Sequence, residues 1–384
     1  MKIIYVSSLV SKKKMNSIIE KSKNKPLQSI QKFHRLICEG LVKNNVEVET
    51  ISAIPISRKI SSKTIWIERK EYENGVQYNY LPFINIKILR QLFIFLSTIV
   101  YVIKYIATEG KNIVFVCDIL NTTISFTTIT LSKIFKVKCL AIVTDLPKDM
   151  EKNKKINEKM QIKYDGYILL TEKMNEVVNP QNKPNVVIEG LADIEEVSNS
   201  CDIDKYKEKV CIYAGGLYEK YGVKFLIQAF SEIEDEDARL HIYGTGELEK
   251  YIMNCQDKRI LYLGVVTNDI IIEEEKKATL LINPRFTNEE YTKYSFPSKN
   301  IEYMVSGTPV LTTKLPGMPK EYYEYVYFIE KETIDGIKRS IELILEKPKE
   351  ELNEKGCKAR KFILERKNNK IQTEKMIDLL MRIK

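Results

Sequence analysis

Along the chain, short apolar runs rich in β-branched residues alternate with longer stretches in which apolar positions recur every three or four residues. That alternation of strand and helix periods predicts an α/β protein built on parallel sheets flanked by helices. In the first half it predicts strands at 2–6, 46–52, 112–118, 138–144, 166–170 and 185–188, and helices around 29–44, 88–108, 122–135 and 172–178. Residues 8–26 are polar, lysine-rich and free of glycine, and read as a long loop. After Glu189 the polar stretch LADIEEVSNSCDIDKYKEK buries little and predicts a linker over 191–207. A second series follows, with strands at 209–214, 239–243, 260–263, 279–283, 309–312 and 326–329. The charged tail from Glu350 has no glycine or proline after Gly356 and can form one long helix.

The expected organisation is a first Rossmann-like domain over 1–190 and a second over 208–364, with 365–384 as a helix packing back on the first. Two doubly wound parallel-sheet domains facing across a cleft bind ligands outside the carboxyl ends of their strands. The chemistry is therefore sought on the loops that follow strands.

Charge changes the picture in one respect. The net charge of +9 is uneven: residues 1–200 hold 30 Lys and Arg against 20 Asp and Glu, and residues 201–384 hold 31 against 32. The first half thus favours an anionic partner, either a membrane surface or a phosphate-bearing substrate. No nucleic-acid-binding motif accompanies the charge, so nucleic acid is not expected. The seven cysteines are scattered singly, as small core residues in a reducing compartment, and two histidines are too few for a His-rich metal site. The N-terminus enters a strand without the segments of a signal peptide, so a cytoplasmic location is expected. The most apolar run, Leu92 to Ile103, is shorter than the roughly 18 to 20 residues that cross a bilayer. It is expected as a buried or groove-lining helix, with interfacial membrane contact as the competing reading.

Three post-strand loops carry candidate chemistry. The first, Tyr213 to Gly222, has the pair Gly215-Gly216 and then Lys220 before a helix, a place where backbone can approach a phosphate closely. A tight strand-to-helix turn is the alternative. The second, Tyr243 to Leu248, holds Gly244 and Gly246 but lacks the third glycine and the later acidic residue of a dinucleotide fingerprint, so a nicotinamide cofactor is not expected. The third, FPSKNIEYMVSGTPVL from Phe296, places Pro297 at a helix start, with Ser298 and Lys299 beside the unpaired amides and Glu302 one turn on. A surface Lys–Glu pair at helical spacing is the alternative there.

The order GGLYEKYG, YGTGEL, YLGVV and FPSKNIEYMVSGTPVL resembles the C-terminal domain of the large retaining glycosyltransferase family, family 4-like, typified by sucrose synthases and bacterial mannosyltransferases, with the GT-B fold. TEKMNEVVNPQNKPNVVIEGLAD resembles that family's domain junction. The similarity covers about residues 165–315 and is strongest for FPSKNIEY with SGTPVL, a form common in bacterial exopolysaccharide and capsule transferases. The family has two glutamates separated by seven residues; Glu302 matches the second, and Tyr294 stands at the first. Its phosphate-binding Arg and Lys correspond to Gly216 and Tyr221, with Lys220 displaced by one.

The resemblance implies transfer of a sugar, with retention, from a nucleotide diphosphate donor, most often uridine diphosphate. Neither cofactor nor metal is required in this scheme. Gly215, Gly216, Lys220, Ser298 and Lys299 would hold the diphosphate and Glu302 the ribose. Gly244, Gly246 and Leu248, with Val265 and Val266 after Gly264, would meet the base and sugar. Asp145, beyond the strand KCLAIV, would bind a hydroxyl of acceptor or donor, or cap a helix. The implied acceptor is a saccharide or a polyprenyl-diphosphate-linked glycan at the inner face of the membrane. An inverting transferase, an epimerase and a catalytically silent nucleotide-sugar-binding homologue are the rival readings.

Overall fold

The computed structural model describes residues 1–21, 28–58, 60–146, 159–193, 195 and 204–383. The chain divides into two units, Met1–Leu191 with Asn369–Lys384, and Ala192–Asn368. Of the expected linker, residue 194 and residues 196–203 lie outside the described residues.

The first unit holds β1 (Lys2–Ser7), β2 (Glu47–Ser52), β3 (Ile65–Trp66), β4 (Glu71–Glu73), β5 (Val76–Tyr80), β6 (Phe83–Ile84), β7 (Ile113–Asp118), β8 (Lys138–Val143), β9 (Gly166–Leu169) and β10 (Asn185–Val187). Its main sheet runs β10-β9-β8-β7-β1-β2-β5-β4, parallel except for the edge strand β4, and β3 pairs antiparallel with β6. Strands β1, β7 and β8 are almost wholly buried, which explains their unbroken apolar runs. The helices are α1 (Lys12–Lys21), α2 (Gln28–Lys43), α3 (Lys87–Glu109), α4 (Thr122–Phe135) and α5 (Glu172–Val178).

Three expectations are corrected here. Residues 12–21 form a helix, not a loop: Met15 and Ile18 are buried one turn apart, while Lys12 and Lys13 are exposed and Lys14 pairs with Glu68 at 2.9 Å. Residues 22–27 lie outside the described residues. The strands β3 to β6 were not expected; β4 and β5 are joined by Asn74-Gly75, both at positive φ, the two-residue hairpin turn. Finally, Leu92 to Ile103 is not a buried helix. It forms the middle of α3, which buries only Ile94, Thr98, Val102 and Tyr105.

The second unit holds β11 (Lys209–Ala214), β12 (Ala238–Tyr243), β13 (Ile260–Gly264), β14 (Leu280–Asn283), β15 (Val310–Thr312) and β16 (Tyr327–Phe328). They form an all-parallel sheet in the order β13-β12-β11-β14-β15-β16. The helices are α6 (Val223–Ser231), α7 (Glu249–Met253), α8 (Asn268–Lys277), α9 (Ser298–Ser306), α10 (Ile334–Leu345) and α11 (Lys349–Arg366). Two apolar clusters cover the faces of the sheet, one around Leu226, Phe230 and Ile341, the other around Tyr303, Met304 and Phe362. Strand order reverses between β11 and β14, the switch point at which such sheets open a crevice.

The expected single C-terminal helix is broken into α11 and α12 (Asn369–Arg382). At the break the Lys367 carbonyl accepts from the Ala192 amide at 3.0 Å, and the Asn368 side chain donates to the Leu364 carbonyl at 2.7 Å. Backbone drawn into strand-like pairing with Ala192 cannot continue the helix. Helix α12 then returns to the first unit, where Asn44 donates to the Lys370 carbonyl at 2.8 Å and Gln372 to that of Gly190 at 3.0 Å.

Candidate functional site

At the carboxyl end of the second sheet, three loops are zipped together by their backbones. The Gly215 amide donates to the Tyr243 carbonyl, Leu217 to Thr245 and Gly244 to Gly264, at 3.0, 3.0 and 2.8 Å. Glycine is needed for this approach. A Cβ on Gly244, whose φ is 131°, would lie 1.8 Å from the Gly215 carbonyl oxygen, and one on Gly246 2.4 Å from that of Leu217. The sequence-predicted Gly215, Gly216, Gly244 and Gly246 are thus brought to one place. Val265 stands exposed beside them and Val266 half-buried. Leu248 turns into the core instead.

The zipping also decides which amides remain available. Those of Gly215 and Leu217 are spent on neighbouring carbonyls, whereas Gly216 has no backbone partner for its amide among the described residues. The Gly216 carbonyl accepts from the Tyr213 hydroxyl at 2.7 Å. Burial pushes that hydroxyl's pKa up, opposed by the positive charges of Arg285 and Lys299.

Helix α9 supplies the second wall. Pro297 occupies its N-cap position with no side-chain acceptor, so the first-turn amides have no side-chain cap, and Ser298 is exposed. The helix is fastened to the glycine loop by Tyr303, fully buried, whose hydroxyl donates to the Ala214 carbonyl at 3.2 Å and lies 2.8 Å from the Ala214 amide. Asn283 at the end of β14 donates to the Asn300 side chain at 2.7 Å. Lys299 meets Glu302 at 3.1 Å, the helical pair that the spacing also allowed. Burial works against the Lys299 ammonium, but Glu302 and then Glu275 outweigh it and hold its pKa above the ordinary lysine value. Lys299 therefore stays charged at any physiological pH.

Reading the sequence missed Arg285. It follows β14, on the other side of the switch point from Gly215 and Gly216. Its guanidinium lies 4.5 Å from the ring centre of Tyr221 and 6.0 Å from that of Tyr291. Lys220, in the turn Glu219–Tyr221, sits over the same two rings at 5.3 and 6.0 Å. Neither Arg285 nor Lys220 has a carboxylate partner among the described residues, so this aromatic nest holds two uncompensated positive charges. The rings also fill the space beside Gly216: a Cβ there would meet Tyr218 at 3.0 Å and Tyr221 at 3.1 Å. An arginine at position 216 would have to displace them. The dipeptide Pro284-Arg285 after a strand was the signal that could have drawn attention to this side chain.

Tyr294 is half-buried and ends the 3-10 turn Glu290–Lys293. Asp145 belongs to the first unit, where it is exposed two residues beyond β8. The residues 147–158, where a helix capped by it would lie, are outside the described residues.

Comparison with known proteins gives this arrangement its context. Residues 208–347, which include the loops of the second unit described above, match the family Glycosyl transferases group 1. No curated protein matches the sequence. Among solved structures, sucrose-phosphate synthase from Thermosynechococcus elongatus is similar with a TM-score of 0.69 at 12% identity, covering 100% of this chain and 99% of that one. Anabaena HepE in complex with UDP is similar with a TM-score of 0.65 at 12% identity, covering 100% of both. Staphylococcus aureus TarM, as a variant in complex with fondaparinux, α-GlcNAc-glycerol and UDP, gives 0.65 at 14% identity over 99% of each. Residues 208–347 thus carry the sequence of the glycosyl transferases group 1, on a chain whose two parallel-sheet Rossmann-like units have the GT-B fold.

Proposed function

We propose that this chain is a retaining, metal-independent glycosyltransferase that takes a sugar from a nucleoside diphosphate donor. The observation that carries the reading is the convergence at the switch point of the second sheet. Tyr303 fastens α9, which carries Lys299, to Ala214 at the start of the glycine loop, where the Tyr213 hydroxyl holds the Gly216 carbonyl, while Lys220 shares the Tyr221 and Tyr291 rings with Arg285. Breaking a bond between an anomeric carbon and a phosphate leaves negative charge on the departing diphosphate, and preorganised cations and amides stabilise that charge without a reorganisation cost. Lys299, Arg285, Lys220, the Gly216 amide and the start of α9 with Ser298 are assigned to it. Gly215, Gly244 and Gly246 shape the floor by close backbone approach. Glu302, one turn beyond Lys299, is assigned to the ribose hydroxyls, exchanging its bond to Lys299 for the ligand. Val265 and Val266 line the base.

Uridine diphosphate is the preferred donor group, supported by the UDP bound in the similar HepE and TarM structures. In the retaining reaction the acceptor attacks the face from which the diphosphate leaves, and a phosphate oxygen takes the acceptor's proton. No enzyme nucleophile is then needed. Asp145 is assigned to an acceptor hydroxyl, and the acceptor to a saccharide or polyprenyl-diphosphate-linked glycan of surface polysaccharide synthesis at the cytoplasmic face of the membrane.

A panel of nucleoside diphosphates in thermal shift tests the donor half directly. UDP at a hundred times its Kd should stabilise the chain by about 2.7 kcal/mol. Absence of a shift with every nucleoside diphosphate sinks the reading. Transfer from a labelled donor with the anomeric configuration of the product determined separates retention from inversion or epimerisation. One observation favours a silent, binding-only homologue: Tyr294 and Gly216 stand where the family places a glutamate and an arginine. A nucleotide-dependent shift with neither transfer nor donor hydrolysis would decide for it.

A further inference from the structure

The middle of helix α3, Leu92 to Ile103, is apolar apart from Ser97 and Thr98, yet only one stripe of the helix is covered. Ile94, Thr98, Val102 and Tyr105 pack on the first unit, while Ile88, Leu92, Phe95, Leu96 and Val100 keep between 37% and 80% of their surface exposed. Helix α4 lies alongside, with Thr123 donating to Gln91 of α3 at 2.7 Å, and extends the apolar surface through Ile134, 65% exposed. A run of this size is far more than the isolated apolar side chains of an ordinary surface.

Its electrostatics single out an occupant. The sequence has no Asp or Glu from residue 74 to 108, nor from 119 to 144. The one carboxylate on α3, Glu109, is held by Lys2 at 3.2 Å. Lys87, Lys104, Lys111 and Lys136 are all exposed, and none has a carboxylate partner among the described residues. The hydroxyls of α4 are largely withdrawn: Thr127, Thr128 and Ser132 are buried, and they and the half-buried Thr130 each donate to the carbonyl four residues back, at 2.7 to 2.8 Å. They therefore present little unsatisfied polarity to an apolar medium.

We propose that α3 and α4 form a face that lies in the headgroup region of an anionic lipid bilayer, with the exposed apolar side chains inserted and the lysines on lipid phosphates. The helix is long and apolar enough to cross a membrane by composition. Its buried stripe argues for lying in the plane instead: Tyr105 donates to Glu49 at 2.6 Å and accepts from Asn79 at 3.0 Å, which ties α3 to the sheet. A second copy of the chain is the poorer occupant, because a symmetric pairing would set unneutralised lysines against lysines with no carboxylate between them.

The surface is independent of the donor site, and so is its test. Flotation of the full chain should be strong with vesicles of phosphatidylcholine and phosphatidylglycerol, about tenfold weaker with phosphatidylcholine alone, and reduced by salt. Leu92→Glu with Leu96→Glu, at exposed positions, should keep the thermal midpoint and lower binding by at least about tenfold. Lys104→Gln with Lys111→Gln should remove the preference for the anionic lipid. No flotation of the unaltered chain overturns the proposal, as does equal flotation of the Leu92→Glu, Leu96→Glu variant. So does a dimer in light scattering that the same variant disperses while vesicles bind neither protein. If flotation holds and the UDP shift is missing, the donor reading fails and the membrane face stands.

Discussion

Lys299 and Arg285 make different kinds of claim on the same charge. Lys299 is set into the unit with Glu302 and Glu275 holding it protonated, so its loss removes a fixed cation from the leaving group. Lys299→Ala should lower the transfer rate by about a hundredfold or more, read as kcat with purified protein. Arg285 is held by rings, not by a carboxylate, and can turn its guanidinium to a phosphate without breaking an ion pair. Arg285→Ala should cost about tenfold to a hundredfold in kcat/KM at an unchanged thermal midpoint, with Arg285→Lys recovering only part. The two were not equally visible in the sequence. Lys299 sits two residues after the proline of a phenylalanine-proline helix start, a purely local signal. The value of Arg285 depends on Tyr221, more than sixty positions earlier in the chain, and on rings that exclude a side chain from Gly216.

Elements with a strict internal period were the legible ones. Strands β1, β7, β8 and β11 and helix α9 follow from apolar runs and helix-start chemistry alone. The hairpin of β4 and β5 escaped because EYE and VQYNY are rich in polar residues, and only Asn74-Gly75 announced it. Helix α1 escaped because two buried side chains among lysines are a weak pattern. Among the loops, the demand on Gly244 is the sharpest. Gly244→Ala should separate the loops after β11 and β12, destabilise the second unit by more than about 2 kcal/mol and abolish the UDP-dependent thermal shift, both visible in one melting experiment.

At the scale of the whole molecule, acid is the condition most certain to act. Burial pushes the Glu49 carboxyl up, but Lys2, Tyr105 and Asn79 outweigh it and hold its pKa below the ordinary 4.5. Burial likewise pushes Glu68 and Glu71 up, but Lys14 and Lys63 outweigh it at Glu68, and Ser11, Tyr80 and Lys14 at Glu71, so both are depressed. Groups with lowered folded pKa values contribute stability above their unfolded values, and it disappears as pH falls through the folded ones. Stability should therefore drop below about pH 4.5, and Glu49→Gln should flatten that fall in denaturant melts taken between about pH 5 and 3.

The return of α12 to the first unit has a kinetic consequence. During synthesis the first unit cannot be completed until residues 369–384 emerge, because Met376, Leu379 and Leu380 finish its core. The second unit is continuous in sequence and can close earlier. A stop codon after Asn368 should leave a product that aggregates through its N-terminal portion, while residues 192–368 made alone stay soluble and keep the UDP response, as sedimentation and melting would register.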